Sequence, residues 1–171
     1  MKSGGFAVGT PLDSLNGVFV YYNGGVAHVE GRNTTQDGYN LGLKYQCVEF
    51  VKRYYYQHLN HKMPNSYGNA KDFFDNNVPD GKINQVRNLQ QFTNPSHIKP
   101  KVNDLVVFEG TLLNQYGHVA IISRVDDHEI EIIQQNPGHL GQSREVFKLN
   151  KQAGKWEINH RHLLGWLRKK Q

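Results

Sequence analysis

The stretch KYQCVEFVKRYYYQH, Lys44 to His58, holds the only cysteine of the chain, Cys47. Positions 47, 50, 51, 54, 55 and 58 carry Cys, Phe, Val, Tyr, Tyr and His. Recurrence at i, i+3, i+4, i+7 and i+8 predicts an amphipathic helix. Glu49, Lys52, Arg53, Gln57 and Asn60 fall on its other side. The preceding NTTQDGYNLG is turn-like, with glycines at 38 and 42, so the helix should begin near Tyr45 to Cys47. Cys47 then sits in the first turn, where unpaired backbone N–H groups and the positive dipole end favour an anion. A thiol placed there is expected to have a lowered pKa and to gain nucleophilicity. The same N–H groups could hold an oxyanion. The stripe equally suits a cysteine that only packs beneath the helix.

The chain has 171 residues and a net charge of +5, a size that suits one domain spanning residues 1–171. One cysteine excludes an internal disulfide. No apolar run approaches the roughly 18 residues of a membrane span. The start, MKSGGFAVGT, shows no apolar h-region. The expectation is a cytoplasmic protein as the chain stands, secreted or periplasmic if a signal has been removed, and monomeric. Lys and Arg are scattered, and the densest run, RKKQ at the C-terminus, reads as a solvated tail, so a nucleic-acid partner is not expected. Residues 60–104, rich in Pro and Asn, read as short helices and loops wrapped on the domain.

A thiolate nucleophile needs a base, usually histidine, held by a third group. His58 and His61, and likewise His160 and His162, are paired at close spacing but lack cysteine or acidic partners at ligand spacing. They read as surface histidines, with no metal expected. His118 opens the β-branched run HVAIISRV after Gly117, and EIEIIQQN follows after DDH. Together these predict a hairpin of His118–Val125 and Glu129–Gln135. With Asp126, Asp127 and His128 as the loop, Val125 faces Glu129. His118 then pairs with Asn136, and Gln134 is a diagonal neighbour on the same face. Direct and diagonal neighbours lie about 5 and 7–8 Å apart. Two amides would therefore reach the His118 ring. An amide oxygen accepting Nδ1–H would leave Nε2 free to take a thiol proton.

A helix opening QCVEF, a later strand opening GHVAII and a strand ending QQN resemble the CHAP superfamily, the cysteine- and histidine-dependent amidohydrolases and peptidases. The likeness extends along the chain. GTPLDSLNGVFVYYN, DLVVFEG and LLGWL resemble the opening strand, the strand before the histidine and the closing strand of the glutathionylspermidine synthetase/amidase type of amidase domain. The resemblance implies an α+β, papain-like fold, with the nucleophile helix packed on an antiparallel sheet. Short strands at Val18–Tyr22, Leu105–Phe108, His118–Val125, Ile130–Gln135, Val146–Leu149 and Leu164–Leu167 are compatible with it.

Carried over residue by residue, the resemblance makes Cys47 the nucleophile and His118 the base. The third residue, usually glutamate, falls on Gln134, and the family asparagine on Asn136. Gln134 can orient His118 but brings no charge. Lys52 stands where the amidase domain has arginine, replacing a planar fork by a point charge. Gln46, Glu49 and Lys52 are the expected oxyanion and substrate-binding residues. The implied chemistry is hydrolysis of an amide through a thioester, with no metal or organic cofactor. The substrate is a small amide or peptide, first a glutathionylspermidine-like amide and alternatively a cell-wall peptide of peptidoglycan. A catalytically inactive binding module is a reading of another class, suggested by Gln134.

Overall fold

The computed structural model describes residues 5–139 and 141–171. Residues 1–4, part of the start read above for a leader, and residue 140 lie outside the described residues. The elements follow as β1 (Pro11–Leu15), β2 (Val18–Tyr21), β3 (Arg32–Thr34), β4 (Asn40–Leu43) and α1 (Cys47–Gln57), then a 3₁₀ turn, Ala70–Phe73. After it come β5 (Ile83–Asn84), β6 (Leu89–Thr93), β7 (Leu105–Phe108), β8 (His118–Val125), β9 (Glu129–Ile133), β10 (Arg144–Gln152), β11 (Lys155–Ile158) and β12 (Leu163–Arg168). An eight-stranded sheet runs β11-β10-β9-β8-β7-β12-β6-β5, while β1–β2 and β3–β4 pair separately. Every neighbouring pair in the large sheet is antiparallel. The fold is thus the expected α+β, papain-like one.

Residues 119–122 and 132–133 are apolar at successive positions because both faces of the sheet centre are buried. Val119, Ile121 and Ile133 meet Phe50, Val51, Tyr54 and Tyr55 of α1. Ala120, Ile122, Ile130 and Ile132 pack instead with Phe92, Phe147, Ile158 and Trp166. These last four come from strands far apart in the sheet order, so the sheet must curl over that face. Beyond β6, Ser96 exchanges backbone hydrogen bonds with Trp156 of β11 at 3.0 and 2.7 Å. That contact draws the two sides of the sheet together.

The expected hairpin register holds at Ile121 and Ile122, for a reason the sequence did not show, but the ladder ends there and does not pair His118 with Asn136. Val125 faces Ile130, not Glu129, so the connection is longer than expected. Asp126 organises it by accepting the N–H groups of His128 and Glu129 at 2.7 and 2.8 Å. A bulge at Ser123 then absorbs the extra residue and restores Ile122↔Ile132 and Ile121↔Ile133. Residues 60–104 also differ from expectation. They hold the 3₁₀ turn, but also β5 and β6 of the main sheet. Alternation was hidden there because Gln91 is fully buried; its amide oxygen accepts from Asp75 N–H and Asn84, both at 3.0 Å.

The polar side of α1 is exposed at its end, at Gln57 and Asn60, but not before it. Glu49, Lys52 and Arg53 are all buried, because β3–β4 covers that side of the helix. Glu49 pairs with Arg53 one turn on, Oε1 to Nε 2.6 Å. Gly42 of β4 passes the start of the helix so closely that a Cβ would lie 3.3 Å from Glu49 N, and its φ of +118° suits glycine alone. Lys52 directs its ammonium to the carbonyls of Asn40 and Ser66.

Burial, reinforced by the charges of Arg87 and Arg32, pushes the Lys52 pKa down to about 7. The unfolded lysine keeps its proton to about 10.4. Between those values the folded state binds fewer protons, so stability rises with pH through that window and is lost as pH falls through about 7. The Lys52 contribution is expected to be about 1 kcal/mol per pH unit. Urea unfolding from about pH 7 to 10 should show that slope flattened in Lys52→Met. Equal slopes in the two proteins would contradict the assignment.

Candidate active site

Cys47 is the first residue of α1, and Gln46 is its extended N-cap with no side-chain cap bond. The first helical N–H groups are therefore left open. The N–H groups of Val119, Val48 and Cys47 itself lie beside Cys47 Sγ. The thiol thus abuts the residue that follows His118, at the start of β8. Gly117 allows this close entry. Its φ is +76°, and a Cβ there would meet the Phe108 carbonyl at 2.5 Å. The His118 ring packs against Phe108, centroids 5.8 Å apart.

Burial pushes the Cys47 thiol up, against the lowering effect of the three N–H groups. The expected acidic thiol is thus corrected: desolvation of the thiolate outweighs the helix start. Burial likewise pushes His118 down to about 4, with the Gln134 hydrogen bond opposing it. Burial thus favours the neutral forms of both thiol and imidazole, while both residues remain partly exposed.

Three successive residues beyond β9 divide the remaining work. Gln134 Oε1 lies 2.9 Å from His118 Nε2. Gln134 Nε2 donates to the Gln142 carbonyl at 2.8 Å and to Glu145 Oε2 at 3.3 Å. Both of those partners only accept, so the amide nitrogen must face them and its oxygen must face the ring. His118 then carries its proton on Nε2, leaving Nδ1 as the free base. The tautomer is the reverse of the one expected from sequence.

Gln135 is fully buried and ties the sheet to α1. Its Nε2 donates to Gln46 O and to Glu49 Oε2, both at 2.8 Å. Its Oε1 accepts from Tyr21 N–H at 2.9 Å and Arg53 at 3.4 Å. Asn136 does not reach His118. Its φ of +52° turns the chain out of the ladder, and its amide donates to Val26 O and Gln46 Oε1, both at 2.9 Å. Asn136 therefore orients the residue before the cysteine and leaves the histidine to Gln134.

The other expected contacts with substrate are also redirected. Gln46 donates its amide hydrogens to Val26 O at 3.2 Å and His28 O at 2.9 Å, so both are engaged. Glu49 accepts from Arg53, Asn33 and Gln135 within the interior. Lys52 lies about 140° around the helix from Cys47. Gln46 and Glu49 are engaged by the segments packed on the helix start, and Lys52 by the carbonyls of Asn40 and Ser66. Of the paired histidines, His61 is buried on the Arg87 carbonyl at 2.9 Å and is not a surface residue. Among the described residues no cluster of three His, Cys, Asp or Glu could hold a metal ion.

Beside the site opens a cleft of about 270 Å³, lined by Phe6, Tyr22, Val26, Gln134, Asn136 and His139 among others. Sequence reasoning missed Gln135 and Glu145. Gln135 had a signal in its place between two site residues, but Glu145 lies on a different strand and had none. Gln135→Leu is expected to lower stability by about 2 kcal/mol, since it leaves the Tyr21 N–H unpaired and removes one partner each from the Glu49 carboxylate and the Gln46 carbonyl. Urea unfolding measures this, and an unchanged midpoint would contradict the bridging role.

A model of the CHAP domain family matches residues 35–136, which include Cys47, His118, Gln134 and Asn136. The chain is 28% identical over 131 residues to a trypanothione synthetase of Crithidia fasciculata, covering 75% of this chain and 20% of that protein. It is 30% identical over 139 residues to a glutathionylspermidine synthase of the same organism, covering 74% and 19%. It is 32% identical over 111 residues to the bifunctional glutathionylspermidine synthetase/amidase of Escherichia coli, covering 63% and 17%. The chain spans about a fifth of the length of the curated relatives it matches. By the family match across most of its length, the chain belongs to the CHAP domain family and is a hydrolase of the cysteine amidase/peptidase type.

Proposed function

We propose that the protein hydrolyses a glutathionylspermidine-like amide, using Cys47 as nucleophile and His118 as base. The placement of Cys47 Sγ against the backbone that follows His118 carries this reading. Neutral His118 takes the thiol proton on Nδ1 as Sγ attacks the amide carbon, forming the S–C bond. The Cys47 and Val48 N–H groups beside the sulfur stabilise the developing oxyanion. His118 then delivers the proton to the leaving nitrogen, and the C–N bond breaks. Water attacks the thioester, giving one proton back through Nδ1 to Sγ and releasing the carboxylic acid. Gln134 holds the ring throughout by accepting Nε2–H. Each proton and each donor in this sequence comes from the chain itself or from water, acting as a monomer.

The choice of substrate is supported by the names of the relatives, glutathionylspermidine synthase and glutathionylspermidine synthetase/amidase. Lys52 bears less on it than its position suggested, since its ammonium is held by backbone carbonyls inside the fold. A second reading, a cell-wall peptide, is favoured by the cleft. Its described lining holds aromatic and amide groups and no carboxylate to meet a polyamine.

The test offers glutathionylspermidine and a peptidoglycan stem peptide separately and follows amine release by mass spectrometry. Glutathionylspermidine should be cleaved, and Cys47→Ala should lose at least about a thousandfold in rate while keeping the wild-type melting temperature. Cleavage of the stem peptide alone would overturn the substrate. Wild-type turnover by Cys47→Ala would overturn the nucleophile.

A further inference from the structure

We propose that Glu145 is a positioning residue for His118, acting through the Gln134 amide and supplying the negative charge that position 134 lacks. The inference rests on the reading of His118 as the base. Glu145 stands opposite Ile132 in the β9–β10 register, and Gln134 follows Ile132 by two residues. Alternation puts Gln134 and Glu145 on one face as diagonal neighbours. The contacts run in one direction: Glu145 Oε2 accepts from Gln134 Nε2 at 3.3 Å, and Gln134 Oε1 faces His118 Nε2 at 2.9 Å. Gln134 is only 2% exposed, so its amide has little water to turn to.

An anion on the N–H side of an amide draws its dipole into line and makes its oxygen a stronger acceptor. The effect grows when His118 takes the thiol proton and becomes cationic. The chain therefore keeps a carboxylate for the imidazolium, set one amide farther back than direct contact.

The charges around Glu145 leave it available for this. Arg144, beside it in sequence, is committed to Asp13 at 2.8 Å and Glu131 at 3.0 Å. On the other side stands His160, which the charge of Glu145 reaches and whose pKa is lowered mainly by burial and by His162, with Arg161 acting the same way. His162 is in turn paired with Glu109 at 2.7 Å. His118 itself faces Gln134 and the uncharged Phe108 ring. Glu145 is exposed, so its influence should be modest and should weaken with added salt.

The test is the pH–rate profile of Cys47 labelling by iodoacetamide in the full chain, with folding checked by thermal melting. Glu145→Gln should slow labelling near pH 7 by about threefold to tenfold, and Glu145→Asp should largely retain the wild-type rate. In a Gln134→Glu background the slowing should vanish or reverse. The carboxylate then touches His118 directly, two adjacent anions repel, and Glu145→Gln should leave the rate equal or faster. Equal slowing in both backgrounds would show a merely structural Glu145 and overturn the proposal. A wild-type profile in Glu145→Gln, alongside slow labelling in His118→Ala, would overturn the relay and leave the Cys47–His118 pairing standing. An unchanged profile in His118→Ala would overturn the pairing, and the relay with it.

Discussion

The amide row Gln134–Gln135–Asn136 is the constraint on which the site depends. A strand that ends inside a protein must find partners for its polar groups, because each unpaired one costs about 1–3 kcal/mol. Here three consecutive side chains leave in three directions. Gln134 takes the histidine ring, Gln135 takes the first turn of the nucleophile helix, and Asn136 takes the residue before the cysteine. The helix and the sheet are separate layers with an apolar interface that does not by itself fix their sliding. The amides add directional bonds at the one place where relative position matters. Tyr21 joins through its backbone, so β2 is locked to the same point.

The electrostatics of the site follow from its burial. Both thiol and imidazole are pushed toward their neutral forms. A directly bound carboxylate would favour the ion pair instead. With an amide as the third member, the proton moves during attack, and the cation on His118 exists only while the reaction needs it. The open N–H groups at the helix start act on the sulfur and on the oxyanion alike. The same burial governs the far side of α1, where a Glu–Arg pair and a lysine are enclosed by β3–β4.

Much of this was legible in the sequence. The 47, 50, 51, 54, 55 stripe gave the helix because its apolar side truly faces a core. The hairpin was legible because β-branched residues bounded by Gly117 and an Asp-rich turn admit few alternatives. What failed did so for local reasons. The start of β9 shifts by one residue and a bulge at Ser123 cancels it, which no periodicity reveals. β6 was hidden by a buried glutamine, and Glu49 and Lys52 were read as substrate contacts because charge seldom lies buried in a fold. Asn136 was given to His118 because strand geometry was extended beyond Ile133 to Asn136, which itself takes a left-handed conformation. The tautomer of His118 depends on Gln142 and Glu145, which reach Gln134 from a later loop and strand.

The central claim is that His118 is neutral, protonated on Nε2 and basic at Nδ1. Long-range ¹H–¹⁵N correlation spectra of the histidine rings test it most directly. At pH 7 the His118 ring should show a pyrrole-type Nε2 and a pyridine-type Nδ1, and it should stay neutral until the pH falls toward about 4. A pyrrole-type Nδ1, or a ring already cationic at pH 7, would contradict the account.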